Sequence, residues 1–306
     1  MMVKSKRRNA SQNTFIPFVR NLINQLNQVG RQRTAEKYAT TLNSLLRFLR
    51  GKEISWKDMD ASLMMAYEQY LRDAGICPNT SSFYLRNLRA IYNRGVELGL
   101  TSQQYPFRQV YTGIERTAKR AVPIQVIRRL HDLDLSSQPV MDWARDMFLF
   151  SIYTRGMSFI DMAYLQKKDL QYGILSYRRK KTGQLLYIKW EGPMQKIIDK
   201  YDTRQSPYLL PIIKYRNKDE RCQYINAAHL INNKLKIIGG QIGLCIPLTM
   251  YVARHGWATI AKNSHIPLST ISEALGHDSE KTTRIYLASL DTSVIDNANK
   301  KILNLI

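Results

Sequence analysis

Apolar residues recur at three- and four-residue steps through most of the first hundred positions, a spacing that predicts helices rather than strands. The pattern begins at Ser11, carries Phe15, Phe18, Leu22, Ile23 and Leu26, and runs to Gly30. A second helix is expected over 34–49, where Tyr38, Leu42, Leu45, Leu46 and Phe48 supply the packing face. Ser55, Trp56, Asp58 and Asp60 read as start signals for a third helix over 61–74, stopped by Gly75. Pro78-Asn79-Thr80 introduces a fourth over 81–97, with Tyr84, Leu88, Ile91 and Tyr92 inside and Gly99 at its end. Four amphipathic helices of this length make a small bundle.

Periodicity lapses over 101–120, which therefore read as an extended linker. Val122-Pro123 opens a second region, with a helix over 124–133, an apolar and hence central helix over 141–153, and another in the second half of 154–165. The period then changes to two: 173–177 and 185–188 flank Lys180-Lys181-Thr182-Gly183, a β-hairpin with a basic tip. From Pro193 helices are expected to dominate again. One covers 251–262, and another covers 267–275 and stops at Gly276, leaving His277 just past a helix end. A short helix follows that carries Arg284 and Tyr286. In the tail, Leu290, Val294, Ile295, Ala298, Ile302 and Leu303 make 291–306 an amphipathic helix capped by Asp291-Thr292-Ser293. The fold expected is mainly α with a small β-hairpin or sheet.

Charge changes the picture. Lys and Arg number 46 against 24 acids, a formal +22. Both halves share the excess, with 20 bases and 8 acids up to residue 120. That is the electrostatic footprint of a polyanion binder. Lys4, Lys6, Arg7 and Arg8 lie in a stretch without apolar periodicity, so residues 1–10 read as a flexible basic arm. There is no run of apolar residues long enough for a membrane span and no signal-peptide core, which predicts a soluble, cytoplasmic protein with no membrane partner. Cys77, Cys222 and Cys245 are scattered with no metal-ligand spacing, and no metal or other cofactor is expected.

The chemistry gathers between Leu248 and Leu287. Tyr251 and Arg254 are three apart on one helix and share a face, while His255 points about 100° round from Arg254. Each residue type suits phosphoryl transfer, since a phenol can be a nucleophile and Arg and His can hold the extra charge of a phosphorane. Ala253-Arg254-His255, then Leu275-Gly276-His277, then Thr282-Thr283-Arg284-Ile285-Tyr286, with nine positions from His277 to Tyr286, resembles the C-terminal signature of the tyrosine recombinases, the phage-integrase family.

The resemblance implies a SAM-like core-binding domain over 11–100, a strap over 101–120 and an α+β catalytic domain over 121–306. It implies site-specific recombination of double-stranded DNA without metal or ATP. Tyr286 would be the nucleophile, Arg254 and His277 would hold the phosphate, and the hairpin's Lys181 would be the general acid. Lys180 is the neighbouring competitor for that last role, whereas Arg178 and Arg179 hold their protons too tightly to be acids. Two positions depart from the pattern: Tyr251 stands where the family has its first histidine, and Ser158 where it has its first arginine. Arg155, three residues before Ser158, would share its face if the helix extends back that far, and is the expected substitute. Tyr251, His255, Trp257 and Ser158 would support the phosphate site, with Trp257 either core or a phosphate donor. The departures resemble a subgroup of mobile-element integrases and invertases. A homotetramer built by exchange of the 291–306 helix, with accessory DNA-bending proteins, would complete the partners. A type IB topoisomerase-like relaxing enzyme and a catalytically decayed DNA-binding regulator are the rival readings.

Overall fold

A computed structural model describes residues 14–115, 121–215, 218–287, 299–300 and 302–304, with the side chains of Ile285 and Tyr286 outside the description. The basic arm expected over 1–10, and most of the tail helix expected over 291–306, lie outside the described residues. The chain divides into two compact units, Met1–Thr117 and Ala118–Ile306.

The first unit holds four helices, α1 (Phe15–Gln28), α2 (Gln32–Phe48), α3 (Ala61–Asp73) and α4 (Pro78–Glu97). Asp60 caps α3 by accepting the Leu63 N–H at 2.8 Å, as its position before the apolar run predicts. The core is aromatic at its centre. Trp56 meets Phe15 and Phe18 edge-on, each with ring centroids 5.1 Å apart, and Tyr92 at 6.3 Å. Gly95 lies so close under Trp56 that a Cβ there would come within 2.2 Å of the indole.

Beyond α4 the extended chain is held to its own unit. Phe107 and Val110 enter the core. Tyr92 donates to the Ser102 carbonyl, Tyr111 N–H donates to Glu68, and Asn79 exchanges hydrogen bonds with the backbone of Glu115.

The second unit is built round α6 (Pro139–Tyr153), packed chiefly by α9 (Glu220–Gln241) and α10 (Met250–Asn263). Ala144, Met147, Phe148 and Phe150 are all fully buried on α6, the signature of a helix apolar on most sides. Its buried Asp146 is neutralised by Arg145 and Lys200. The other elements are α5 (Ile124–Asp132), α7 (Phe159–Ala163), α8 (Gly192–Asp199), α11 (Leu268–Ala274) and α12 (Glu280–Leu287). One three-stranded antiparallel sheet has order β1 (Leu170–Gln171), β2 (Ile174–Arg178), β3 (Leu185–Lys189), with Arg178 opposite Leu185 where the hairpin closes. The edge strand β1 is too short to announce itself by alternation.

Helices dominate again from Pro193, but between α8 and α9 residues 200–215 are irregular, and there Leu209, Leu210, Ile212 and Ile213 are core. Pro207 and Pro211 deny that stretch helical hydrogen bonds, and its backbone pairs instead with the 165–167 segment, Leu209 N–H donating to Leu165 at 2.8 Å. One expectation is corrected: the helix bearing Ser158 does not reach back to Arg155. The chain turns through left-handed Arg155 (φ 60°) and Gly156 (φ 71°), and α7 starts only at Phe159.

Candidate active site

Arg254 sits at the centre of the second unit's polar interior, on α10 and 7% exposed. Its helix position aims it at two turns. Nη1 donates to the Gly156 carbonyl at 2.9 Å, and Nη2 donates to the Leu275 carbonyl at 2.5 Å. The first contact needs glycine, because a Cβ on Gly156 would lie 2.9 Å from the Arg254 Cα. The second exists because α11 ends before Gly276, whose φ of 62° turns the chain and leaves the Leu275 carbonyl accessible.

His277 follows that turn. Its Nε2 lies 3.3 Å from Arg254 Nη2 and its Nδ1 2.7 Å from the Thr283 hydroxyl, which is fully buried on α12. With the guanidinium donating to Nε2, the ring carries its proton on Nδ1 and donates it to Thr283. Burial pushes the His277 pKa down to about 4, and the charges of Arg254, Arg179 and Lys181 act in the same direction. The imidazole is therefore neutral near pH 7 in the DNA-free protein.

The β2–β3 hairpin closes another side. Arg179 N–H donates to the Gln184 carbonyl at 2.8 Å, and Asp161 receives the Lys180 N–H at 2.8 Å and the Ser158 hydroxyl at 2.6 Å. Asp161, buried on α7, thus ties the hairpin tip to the 154–158 turn. The two hairpin lysines diverge. Lys180 places Nζ 3.5 Å from the centre of the Tyr164 ring, whereas exposed Lys181 is the one whose charge acts on His277.

The remaining candidates fall around this centre. Arg155, half-buried, acts electrostatically on the buried Tyr177 hydroxyl together with Arg254 and Arg179. Ser158 is occupied with Asp161. Tyr251 is 60% exposed, with its ring edge-on to His255 at 4.3 Å, and partial burial raises its pKa against the opposing charge of Arg254. His255 is fully buried. Trp257, half-buried, packs on a small cluster of Ala258, Ala261, Ile271, Leu275 and Leu287. Tyr286 lies on α12, three residues after Thr283, and its side chain is outside the described residues.

Sequence reasoning missed Asp161, Thr283 and Gly156 as parts of the site, and it set Arg179 aside. For Arg179 a signal existed, since strand alternation from buried Tyr177 through exposed Arg178 turns Arg179 inward. Among the described residues no group of three or more His, Cys, Asp or Glu is placed to hold a metal ion, and no helix is long and apolar enough to cross a membrane.

Comparison with known proteins agrees with this geometry. Residues 14–110 match the phage integrase SAM-like domain family. Tyrosine recombinase XerA of Pyrococcus furiosus is 29% identical over 259 residues, covering 82% of this chain and 77% of the relative. Tyrosine recombinase XerC of Oceanobacillus iheyensis is 24% identical over 290 residues, covering 89% of each. The fold is that of lambda integrase residues 75–356, solved as a dimer bound to a COC′ core site, with a TM-score of 0.70 at 13% identity over 92% of this chain and 97% of that one. A lambda integrase tetramer bound to a Holliday junction gives 0.67 at 14% identity over 89% and 77%. The N-terminal helical unit thus matches the phage integrase SAM-like domain family, and along most of its length the chain is similar to tyrosine recombinases.

Proposed function

We infer that this protein is a site-specific DNA recombinase that cuts and rejoins double-stranded DNA through a 3′-phosphotyrosyl bond to Tyr286. The observation that carries the reading is the buried guanidinium of Arg254, held between the Gly156 and Leu275 carbonyls and against His277, one short helix away from a tyrosine. A planar guanidinium fork aimed in this way matches the oxygens of a phosphate.

In the first step the Tyr286 oxygen bonds to the scissile phosphorus and the bond to the 5′ oxygen breaks. When Arg254 turns its hydrogen bond from His277 Nε2 to the phosphate, the freed lone pair of the neutral ring can take the phenolic proton, and Lys181 returns one to the departing 5′ oxygen. Arg254 and Arg155 hold the non-bridging oxygens as their charge grows. Attack by the hydroxyl of a partner strand reverses these steps and reseals the DNA. Because the phosphotyrosyl ester conserves the energy of the phosphodiester, the exchange needs no ATP.

The lambda integrase structures contain a dimer on a core site and a tetramer on a Holliday junction, and a tetramer on two DNA sites is the working assembly proposed for this chain. The 291–306 segment would link its subunits, accessory DNA-bending proteins would shape the sites, and a DNA substrate places the protein on the nucleoid in the cytoplasm. Truncation after Thr292 should then leave single-site binding and remove two-site pairing, as read by sedimentation; pairing at the wild-type level would refute the linkage.

The test of the reaction is a suicide substrate nicked beside the site. Wild type should accumulate a covalent adduct and exchange strands between two sites, while Tyr286→Phe should form no adduct yet bind DNA within about threefold of wild type. Adducts formed by Tyr286→Phe would sink the assignment.

A further inference from the structure

We propose that the first unit carries a nucleotide-binding cleft between α4 and the chain that follows it, which takes a single nucleotide turned out of the DNA duplex and stacks its base on Tyr105. The proposal rests on the reading of DNA as the substrate, and it adds a site in the unit that does not hold Arg254 and His277. The cleft has a volume of about 440 Å³, inside the range of about 300–1,000 Å³ usual for small-molecule sites. Arg89 and Asn93, four apart on α4, line one side of it, and Gln103, Tyr105, Phe107 and Arg108 line the other. Tyr105 is the residue out of place. Its φ of 52° lies in the left-handed region, which is costly for a bulky side chain, and a residue before proline ordinarily prefers extended backbone. The core gains nothing from this conformation, because the ring stays 67% exposed. The chain around it is nevertheless firmly held. Phe107 is buried in the unit's core, Tyr105 N–H donates to Gln103 Oε1 at 3.0 Å, and Arg108 N–H donates to the Tyr105 carbonyl at 3.1 Å. Just before them the Tyr92 hydroxyl accepts the Gln104 N–H at 3.2 Å. A strained residue that its surroundings hold in place, with an aromatic ring shown to solvent, is a feature that ligand clamps keep.

The other side chains say what the cleft takes. Arg89 and Arg108 line it and no acidic residue does, and neither guanidinium enters an ion pair among the described residues. Arg89 Nη1 donates to the Thr112 hydroxyl at 3.1 Å, a neutral partner that fixes the head of the side chain. Asn93 and Gln103 add two carboxamides, joined by a hydrogen bond of 3.2 Å from Gln103 Nε2 to Asn93 Oδ1. An anion for the guanidinium groups, a flat ring for Tyr105 and a polar edge for the carboxamides are together the parts of one nucleotide. Contact with the phosphates of an intact duplex would use the arginines alone, and would need neither a cleft nor an exposed ring beside them. Strand exchange supplies the nucleotide, because a strand cannot change partners until some of its bases have left their own helix.

Equilibrium binding of the full chain to a perfect duplex, and to the same duplex with one extra unpaired adenosine nucleotide, tests this. Phosphate contacts are common to both, so the ratio of the two affinities isolates the turned-out base. Wild type should bind the bulged duplex about tenfold more tightly, within the range that stacking one base on an aromatic ring gives. Tyr105→Ala should bring the ratio to within about twofold of unity and leave affinity for the perfect duplex within about threefold of wild type, whereas Tyr105→Phe should keep the ratio, since stacking needs the ring and not the hydroxyl. With 2-aminopurine as the unpaired base, its fluorescence should be quenched on wild type and not on Tyr105→Ala. Arg108→Ala leaves Tyr105 in place and should also lower the ratio, and it decides the matter if Tyr105→Ala does not melt cooperatively. A wild-type ratio below about twofold, or one that survives in folded Tyr105→Ala, would overturn the proposal. So would saturable binding of deoxyadenosine monophosphate, lost in Tyr105→Ala, without preference for the bulge, because the ligand would then be a free nucleotide. The recombinase reading fails by other results, namely no covalent adduct on wild type or an adduct on Tyr286→Phe, and neither of these alters the ratio.

Discussion

Each unit of the chain presses a glycine against a large side chain, and the two contacts serve different ends. In the first unit Gly95 on α4 lets the Trp56 ring approach the helix closely, so that Phe15, Phe18 and Tyr92 can close round it. In the second, Gly156 lets a turn with left-handed backbone approach the Arg254 backbone, and its carbonyl then holds that guanidinium. One contact fills volume and the other places a charge. Stability should therefore register damage to the first and chemistry damage to the second.

Gly156→Ala should have the largest effect. It adds a side chain where φ is positive and where the obstacle is backbone, so the turn and Arg254 must separate. Displacing a phosphate-clamping group by about 1 Å can cost on the order of 10² in rate, and suicide-substrate cleavage should fall by that much with DNA affinity little changed. A rate within about threefold of wild type would break the contrast.

Gly95→Ala should do the reverse. Overpacking against a buried indole costs about 1–3 kcal/mol, read as a lower melting temperature of the first unit, while cleavage per folded molecule stays within about twofold of wild type. Asp60→Ala sharpens the same side at smaller scale, because losing the α3 cap should cost about 1 kcal/mol with no effect on cleavage.

A pH titration probes the charged side. Because the folded-state pKa of His277 lies near 4, below its value in the unfolded chain, the folded protein binds fewer protons than the unfolded one between about pH 6.5 and 4. The contribution of His277 to stability is thus complete above about pH 6.5 and declines as pH falls toward 4. Nitrogen chemical shifts of the ring should report neutral imidazole at pH 6 in the free protein and a higher pKa once a DNA phosphate lies beside it. A free-protein midpoint near the ordinary histidine value would mean that the cationic surroundings described for it are wrong.

Much of this was legible without a structure, and for a local reason. Helical and strand periods, glycine stops and the Asp60 cap are properties of a few neighbouring residues, so the helices α1 to α4, the central α6 and the Lys-bearing hairpin can be read from spacing alone. The order Arg254, His277, Tyr286 was legible in the same way. Expectation failed where the outcome depended on distant partners. Residues 208–213 are largely core without being helical because Pro207 and Leu209 pair with the 165–167 segment. Arg155 and Ser158 share no helix because the turn between them is shaped to meet Arg254, ninety-eight positions away from Gly156.

The sequence by itself determined the kind of chemistry and most of its candidates, because residue types at fixed spacings carry that information. Only the tertiary structure decided which of two adjacent lysines acts electrostatically on His277, which arginines are buried, and that burial lowers the His277 pKa. Those outcomes follow from long-range packing, which sets the burial and the charge around each group. Neither is written in the spacing of residues along the chain.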